Sequence, residues 1–246
     1  MPFDSLTMVP RDLKEAIDWL LATKVNEDSR TWWSMGLGLT RMYERQPAAV
    51  KMLPALEVIK QITKDFLERK EIRNQKFVRS VLDRINKPSS NTTGNDPQSL
   101  KVHVGSARGV GPRTLARSAC KALYVCDMFL DDIKDHEKYR SAYASDVTWE
   151  ESCDEYPEAC AVVLVGIAPI LYVGLRSLKE AAKAAVEAGP GSKEEIHLAK
   201  VMKAVGYTVP QCRSDLTSLD IRKALRGLDV PMLAVIYDFS GFWGLY

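Results

Sequence analysis

The stretch that most limits what this chain can become is an uncharged run of about 17 residues, Ala159 to Leu175, ACAVVLVGIAPILYVGL, closed by Glu158 and Arg176. An apolar run of that length has to be hidden from water. It falls just short of the roughly 18 to 20 residues that span a bilayer. Pro169 also sits near its middle, so the run reads as the buried core of a helical domain, with no stable membrane span. Proline removes one backbone donor and clashes with the carbonyl four residues earlier. The expectation is therefore a kink or restart near Ala168, a buried and proline-kinked helix pair at the centre of the fold.

The rest of the chain supplies helices to cover it. From Pro10 to Lys24, Leu13, Ala16, Ile17, Leu20 and Leu21 recur on one helical face, widened by Trp19, with Asp12 and Glu15 near the positive end of the dipole. Ser29 can cap a second helix bearing Trp32 and Trp33, which we read as core anchors, and Gly36 and Gly38 should weaken it. Leu53 to Ile85 reads as one long helix whose middle, ERKEIRNQK, is a solvated face of mixed charge. Pro112 to about Tyr143 reads as another, with Cys120 and Cys126 both small and buried. Ile196 to Tyr207 and a Ser214-capped Ser214 to Leu228 follow, and Val230 to Tyr246 is an apolar, aromatic end. No region alternates as paired strands do, so the fold class is all-α, an irregular multi-helix bundle. Residues 1–246 form one helical domain, with a boundary or surface loop at 87–100, KPSSNTTGNDPQSL.

Charge excludes little and directs little. The 34 Lys and Arg exceed the 32 Asp and Glu by two, so no global field recruits nucleic acid. The five cysteines match no CxxC metal pattern, and the three histidines, His103, His136 and His197, have no HExxH spacing. Cys153 and Cys160 flank an acidic turn containing Pro157, and a short disulfide between them can close in an oxidising compartment if that turn folds back. The glycines of HVGSARGVGPR fit neither a nucleotide-binding loop nor a dinucleotide turn. The amino terminus shows no basic leader followed by an apolar stretch.

One pattern points to an enzyme. Asp131, Asp132 and Asp135 in DDIKD match the DDxxD by which helical isoprenoid synthases hold magnesium bound to a diphosphate, since hard magnesium takes carboxylate oxygens together with waters and phosphates. Asp127 can join that face. That chemistry needs a second acidic motif on a facing helix, and the sequence shows none, so the run reads first as a solvated helix end rich in ion pairs. We assign no catalytic, cofactor-binding or metal residue.

Three pieces in chain order carry a family resemblance: LTMVPRDLKEAIDWLL, then CAVVLVGIAPILYVGL, then LAKVMKAVGYTV through YDFSGFWGLY. Together they resemble the variant erythrocyte surface antigens of red-cell-dwelling piroplasm parasites, LKEAIDWLL being the most specific. The resemblance implies a non-enzymatic, antigenically variable protein of the infected erythrocyte. It implies roles in immune evasion and adhesion, a host-cell surface receptor or a second antigen subunit as partner, and no cofactor. It also implies export to the infected cell or its surface without a recognisable signal peptide, and otherwise a place inside the parasite. Family members are longer, richer in cysteine and carry a membrane segment near the carboxyl end. This chain has five cysteines and none of that segment before Tyr246, so the expectation is a short or truncated member.

Overall fold

A computed structural model describes residues 1–24, 29–44, 54–86 and 111–241. The described residues hold ten α-helices: α1 (Leu13–Ala22), α2 (Ser29–Glu44), α3 (Pro54–Leu67), α4 (Lys76–Asn86), α5 (Pro112–Ile133), α6 (Trp149–Cys153), α7 (Pro157–Ala188), α8 (Lys193–Ala204), α9 (Ser218–Ala224) and α10 (Val230–Phe239). A 3-10 turn, Leu225–Gly227, follows α9. Among the described residues there is no strand, only the isolated bridges Phe3 to Tyr143 and Lys134 to Cys212. The fold is all-α.

Its axis is α7, 32 residues long. Pro157 opens it where no backbone donor is needed, Glu158 meets the positive end of the dipole, and Gly189, at φ 85°, stops it in a conformation that side chains disfavour. Every residue from Cys160 to Leu171 is buried, Val163, Leu164 and Leu171 at 2% exposure and Ile170 at 0%. By length and composition the helix could cross a membrane, yet 83% of its most apolar window lies inside the protein. Around it pack α1, α2, α3, α8, α9 and α10.

The helix runs unbroken through Pro169, where the sequence suggested a restart and a helix pair. Magnitudes explain the difference. An interior proline costs about 3 kcal/mol, whereas burying each Val, Leu or Ile contributes about 1.5–3 kcal/mol, and the flanking Val165, Ile167, Ile170 and Val173 are all fully buried. A neighbour also braces the turn before the proline. The buried hydroxyl of Thr63 on α3 donates to the carbonyl of Gly166 at 2.8 Å, in the turn that the proline weakens. Gly166 is what lets α3 come so close, because a Cβ there would lie 1.8 Å from Ile59 Cγ2. Two turns on, a Cβ at Gly174 would lie 2.9 Å from Leu13 Cβ, so α1 seats on the same helix by the same device.

Other boundaries differ from the sequence reading. The helix expected over Leu53 to Ile85 is two, α3 and α4, joined by a turn at 68–75. That break lets Ile72 reach the core at 0% exposure, and Arg69 leaves the helix to donate to the carbonyls of Ala204 and Arg11. The helix begun at Pro112 ends at Ile133 rather than Tyr143, because residues 134–148 are drawn across the amino-terminal segment. There Phe3 N–H donates to Ala142 O at 2.7 Å and Ala144 N–H to Phe3 O at 2.9 Å. The helix expected to start at Ser214 starts at Ser218, where Thr217 and Asp220 exchange both bonds of a capping box. Gly36 and Gly38 do more than weaken α2. They lie against the carbonyls of Pro112 and Pro157, which a Cβ would meet at 2.2 and 2.9 Å. The segment 87–100 lies outside the described residues, as does His103.

Gly166→Ala is expected to destabilise the fold by about 1–3 kcal/mol through overpacking, and Ile59→Ala in the same chain should make the added methyl less costly than it is alone. Thr63→Val, which keeps the shape and removes the donor, should cost about 1–3 kcal/mol. Urea denaturation of the four variants checks both. Additive effects at positions 59 and 166 would show that the notch does not exist.

Candidate functional site

The most concentrated polar chemistry in the interior is built on α1. Asp12 caps the helix, accepting from Glu15 N–H at 3.0 Å, and burial holds its carboxyl above the ordinary range. Beyond the cap, Lys14 and Asp18 sit four residues apart, which places them on one helical face. Both are buried, at 8% and 1% exposure. Lys14 Nζ donates to Asp18 Oδ2 and to Arg140 O, each at 2.8 Å, and lies 4.7 Å from the centre of the Tyr139 ring. The Asp18 carboxylate also accepts from the Tyr139 hydroxyl and from Ala142 N–H, the latter at 2.8 Å.

Further groups close the cluster. Burial, reinforced by the Asp18 charge, pushes the Tyr139 phenol well above its usual range. Tyr207, whose hydroxyl is buried without a protein partner, is raised for the same reason, burial first. Gly206 takes φ 101° directly beside Asp12, where a Cβ would come within 2.7 Å of Oδ1, so the backbone after α8 can approach the cap. Lys14 N–H then donates to Val205 O at 3.1 Å. Chemically this is a clamp. Lys14 and Asp18 neutralise each other behind protein, which leaves neither a base nor a nucleophile facing solvent, and together they hold residues 139–142 on α1. The sequence signal was present: a lysine and an aspartate four apart within the otherwise apolar LKEAIDWLL.

The DDxxD carboxylates are arranged differently from a magnesium site. Helix α5 ends at Ile133, so Asp135 lies past the helix and not one turn along the face of Asp131. Asp131 is exposed, pairs with Lys134 at 3.0 Å and has His136 at 3.9 Å. Its hydrogen bond with Lys134 holds the carboxyl below the ordinary range. Asp135 pairs with Lys138 at 3.0 Å, which lowers it likewise, and accepts the N–H groups of Glu137 and Lys138 as the brace of a turn. Asp132 is exposed, and Asp127 pairs with Lys24 at 2.8 Å. Among the described residues no group of three His, Cys, Asp or Glu could hold a metal ion.

Cys153 at the end of α6 and Cys160 in the first turns of α7 are joined as a disulfide, with Cα atoms 6.0 Å apart and both residues buried. The bridge sits beneath the amino-terminal segment: Leu6 N–H donates to Ser152 Oγ at 3.1 Å, and Leu6 O accepts from Trp19 Nε1 at 2.8 Å. Of the other cysteines, Cys126 is buried as expected, and burial pushes its thiol up to about 12. Cys212 is buried and pushed up to about 11. Cys120 is exposed, which corrects the sequence reading. It falls on the outer face of α5 together with exposed Arg113, Arg117 and Tyr124. The tryptophan pair is likewise no deep anchor: Trp32 is half-buried, and Trp33 is 40% exposed with the Arg113 guanidinium 5.8 Å from its ring centre. His136 and His197 are exposed and well separated in the chain.

Comparison with protein-family models, with curated proteins and with solved structures finds no match to this chain.

Removing either partner of the clamp strands a buried charge, so Lys14→Met and Asp18→Asn should each destabilise the fold by about 3–5 kcal/mol. Tyr139→Phe, which deletes one of the donors to Asp18, should cost about 1–3 kcal/mol. Thermal unfolding followed by circular dichroism reads the order. The cysteines give a second expectation, because the thiolate is the reactive form. At about pH 8, iodoacetamide should alkylate Cys120 in the native chain, and Cys126 and Cys212 only after denaturation, as read by peptide mass spectrometry.

Proposed function

We propose that this chain is a non-enzymatic, antigenically variable interaction protein similar to the variant erythrocyte surface antigens of piroplasm parasites. It acts in immune evasion and adhesion of infected red cells. Its place of work is the infected host erythrocyte or its surface. Its partner is a host-cell surface receptor or a second antigen subunit, and it needs no cofactor.

The observation that carries the reading is where the three resembling stretches lie. They are remote in sequence and packed on one another in space. LKEAIDWLL forms α1, whose Leu13 lies against Gly174 of the central run. LAKVMKAVGYTV forms the second half of α8 and the turn after it, where Val205 O accepts from Lys14 N–H. YDFSG meets the central run through Tyr237, whose ring centre is 5.1 Å from that of Tyr172. A surface antigen that varies must keep a scaffold while its outside changes. A resemblance whose stretches meet at packed contacts suits that requirement. The ion pairs of Asp131 and Asp135 with Lys134 and Lys138 weigh against the magnesium-dependent isoprenoid-type alternative.

Antibodies against the folded chain should stain infected erythrocytes outside the parasite, with surface-displayed copies visible before permeabilisation. Strictly nuclear or mitochondrial staining inside the parasite overturns the proposal. Sequencing of the source genome should likewise return many diverged copies rather than one.

A further inference from the structure

The turn at 68–75 and the second half of α8 are separated by about 130 residues of chain, and the fold sets them side by side around a shallow groove. The groove has two adjoining lobes, about 420 and 540 Å³, which share Lys70, Glu71 and Lys200. Four cations line it: Arg69, Lys70, Lys200 and Lys203. The carboxylate of Glu71, 3.7 Å from Lys70, is the one acid among the lining residues. Arg69 also lies 4.0 Å from the Asp12 carboxylate, so the excess is two positive charges.

Part of that charge has an internal use. Arg69 is fixed by its bonds to Ala204 O and Arg11 O and by stacking 4.9 Å over Phe66, so it closes the carboxyl end of α8. The negative end of the α8 dipole favours lysines nearby, an effect worth about 0.3–1 kcal/mol at an exposed surface. That accounts for tolerance of the charge and not for its neutralisation. Lys200 and Lys203 are exposed and pair with no carboxylate among the described residues.

We infer that this groove binds a compact ligand carrying clustered phosphate monoesters, of the inositol polyphosphate type, whether free or as a lipid headgroup. Each monoester carries about −1.5 to −2 at neutral pH, so one or two of them meet the excess charge. Lysine serves phosphate as a mobile point charge, and Arg69, already held, offers a fixed one. The size of the lobes suits one ring rather than an extended polymer. The inference rests on the groove alone and stands apart from the surface-antigen reading.

The test uses the full chain and two probes. Inositol hexakisphosphate is titrated by calorimetry at low and high salt, and phosphatidylcholine vesicles with and without phosphatidylinositol bisphosphate are used in flotation. The wild-type chain should bind hexakisphosphate, weakening as salt rises. The Lys200→Ala, Lys203→Ala double variant should bind at least about tenfold more weakly with an unchanged unfolding temperature, and Lys121→Ala on α5, which does not line the groove, should bind as wild type. Binding to hexakisphosphate alone identifies a free ligand, and binding to both probes identifies a headgroup. The inference is overturned if neither probe binds, if the double variant binds as wild type, or if a single-stranded oligonucleotide binds as tightly with the same dependence on Lys200 and Lys203.

Discussion

The hydrogen bond from Thr63 to the Gly166 carbonyl is the contact on which the architecture turns. A proline inside a buried helix deletes the N–H that Val165 O would accept and crowds the turn before it, and in that turn a hydroxyl from α3, 103 residues away in the chain, adds a bond to Gly166 O. It can reach only because Gly166 leaves a notch that Ile59 fills. Once α3 is seated, Phe66 and Leu67 are carried to the same core at 1% and 0% exposure. About two turns further along α7, Gly174 receives Leu13, and α1 is fixed in turn.

What α1 then carries inward is charge. The segment 134–148 has neither a helix nor a sheet to satisfy its backbone, and a buried backbone group without a partner is costly. Arg140 O finds Lys14, and Ala142 N–H finds Asp18. The buried pair is therefore not a stabilising ornament, since an ion pair taken out of water roughly breaks even at best. Its worth is positional: it anchors an irregular segment whose neighbours, Phe3 and Tyr143, also stack with ring centres 5.0 Å apart. The amino terminus, the irregular segment and the disulfide-bridged turn before α7 thus form one cap over the central helix.

Where the sequence spoke through periodicity, it was legible. Leu13, Ile17 and Leu20 of α1 are all fully buried, and the uncharged run is the core of the molecule. Signals that depend on a partner far along the chain were not legible. ERKEIRNQK looked like a solvated helix face because a single strand of sequence cannot show that Arg69 bonds Ala204 O, or that Lys70 and Lys200 face the same groove. Lys14 and Asp18 stand four apart in the sequence, but only the approach of Tyr139 and Arg140 makes their burial tolerable. DDIKD invited a metal reading because spacing alone does not say that the helix stops at Ile133, between the second and third carboxylates.

By itself, then, the sequence determined the class of fold, the run that must be hidden, and the short distance that allows Cys153 to meet Cys160, because these follow from local periodicity and from chain length between residues. Tertiary structure decided that the helix would pass Pro169 unbroken, that Lys14 and Asp18 would be buried as a pair, and that four cations would share one groove. The physical reason is the same each time. Bracing the turn before a proline, neutralising a charge or concentrating one requires atoms from chain segments that only folding brings within a few ångströms.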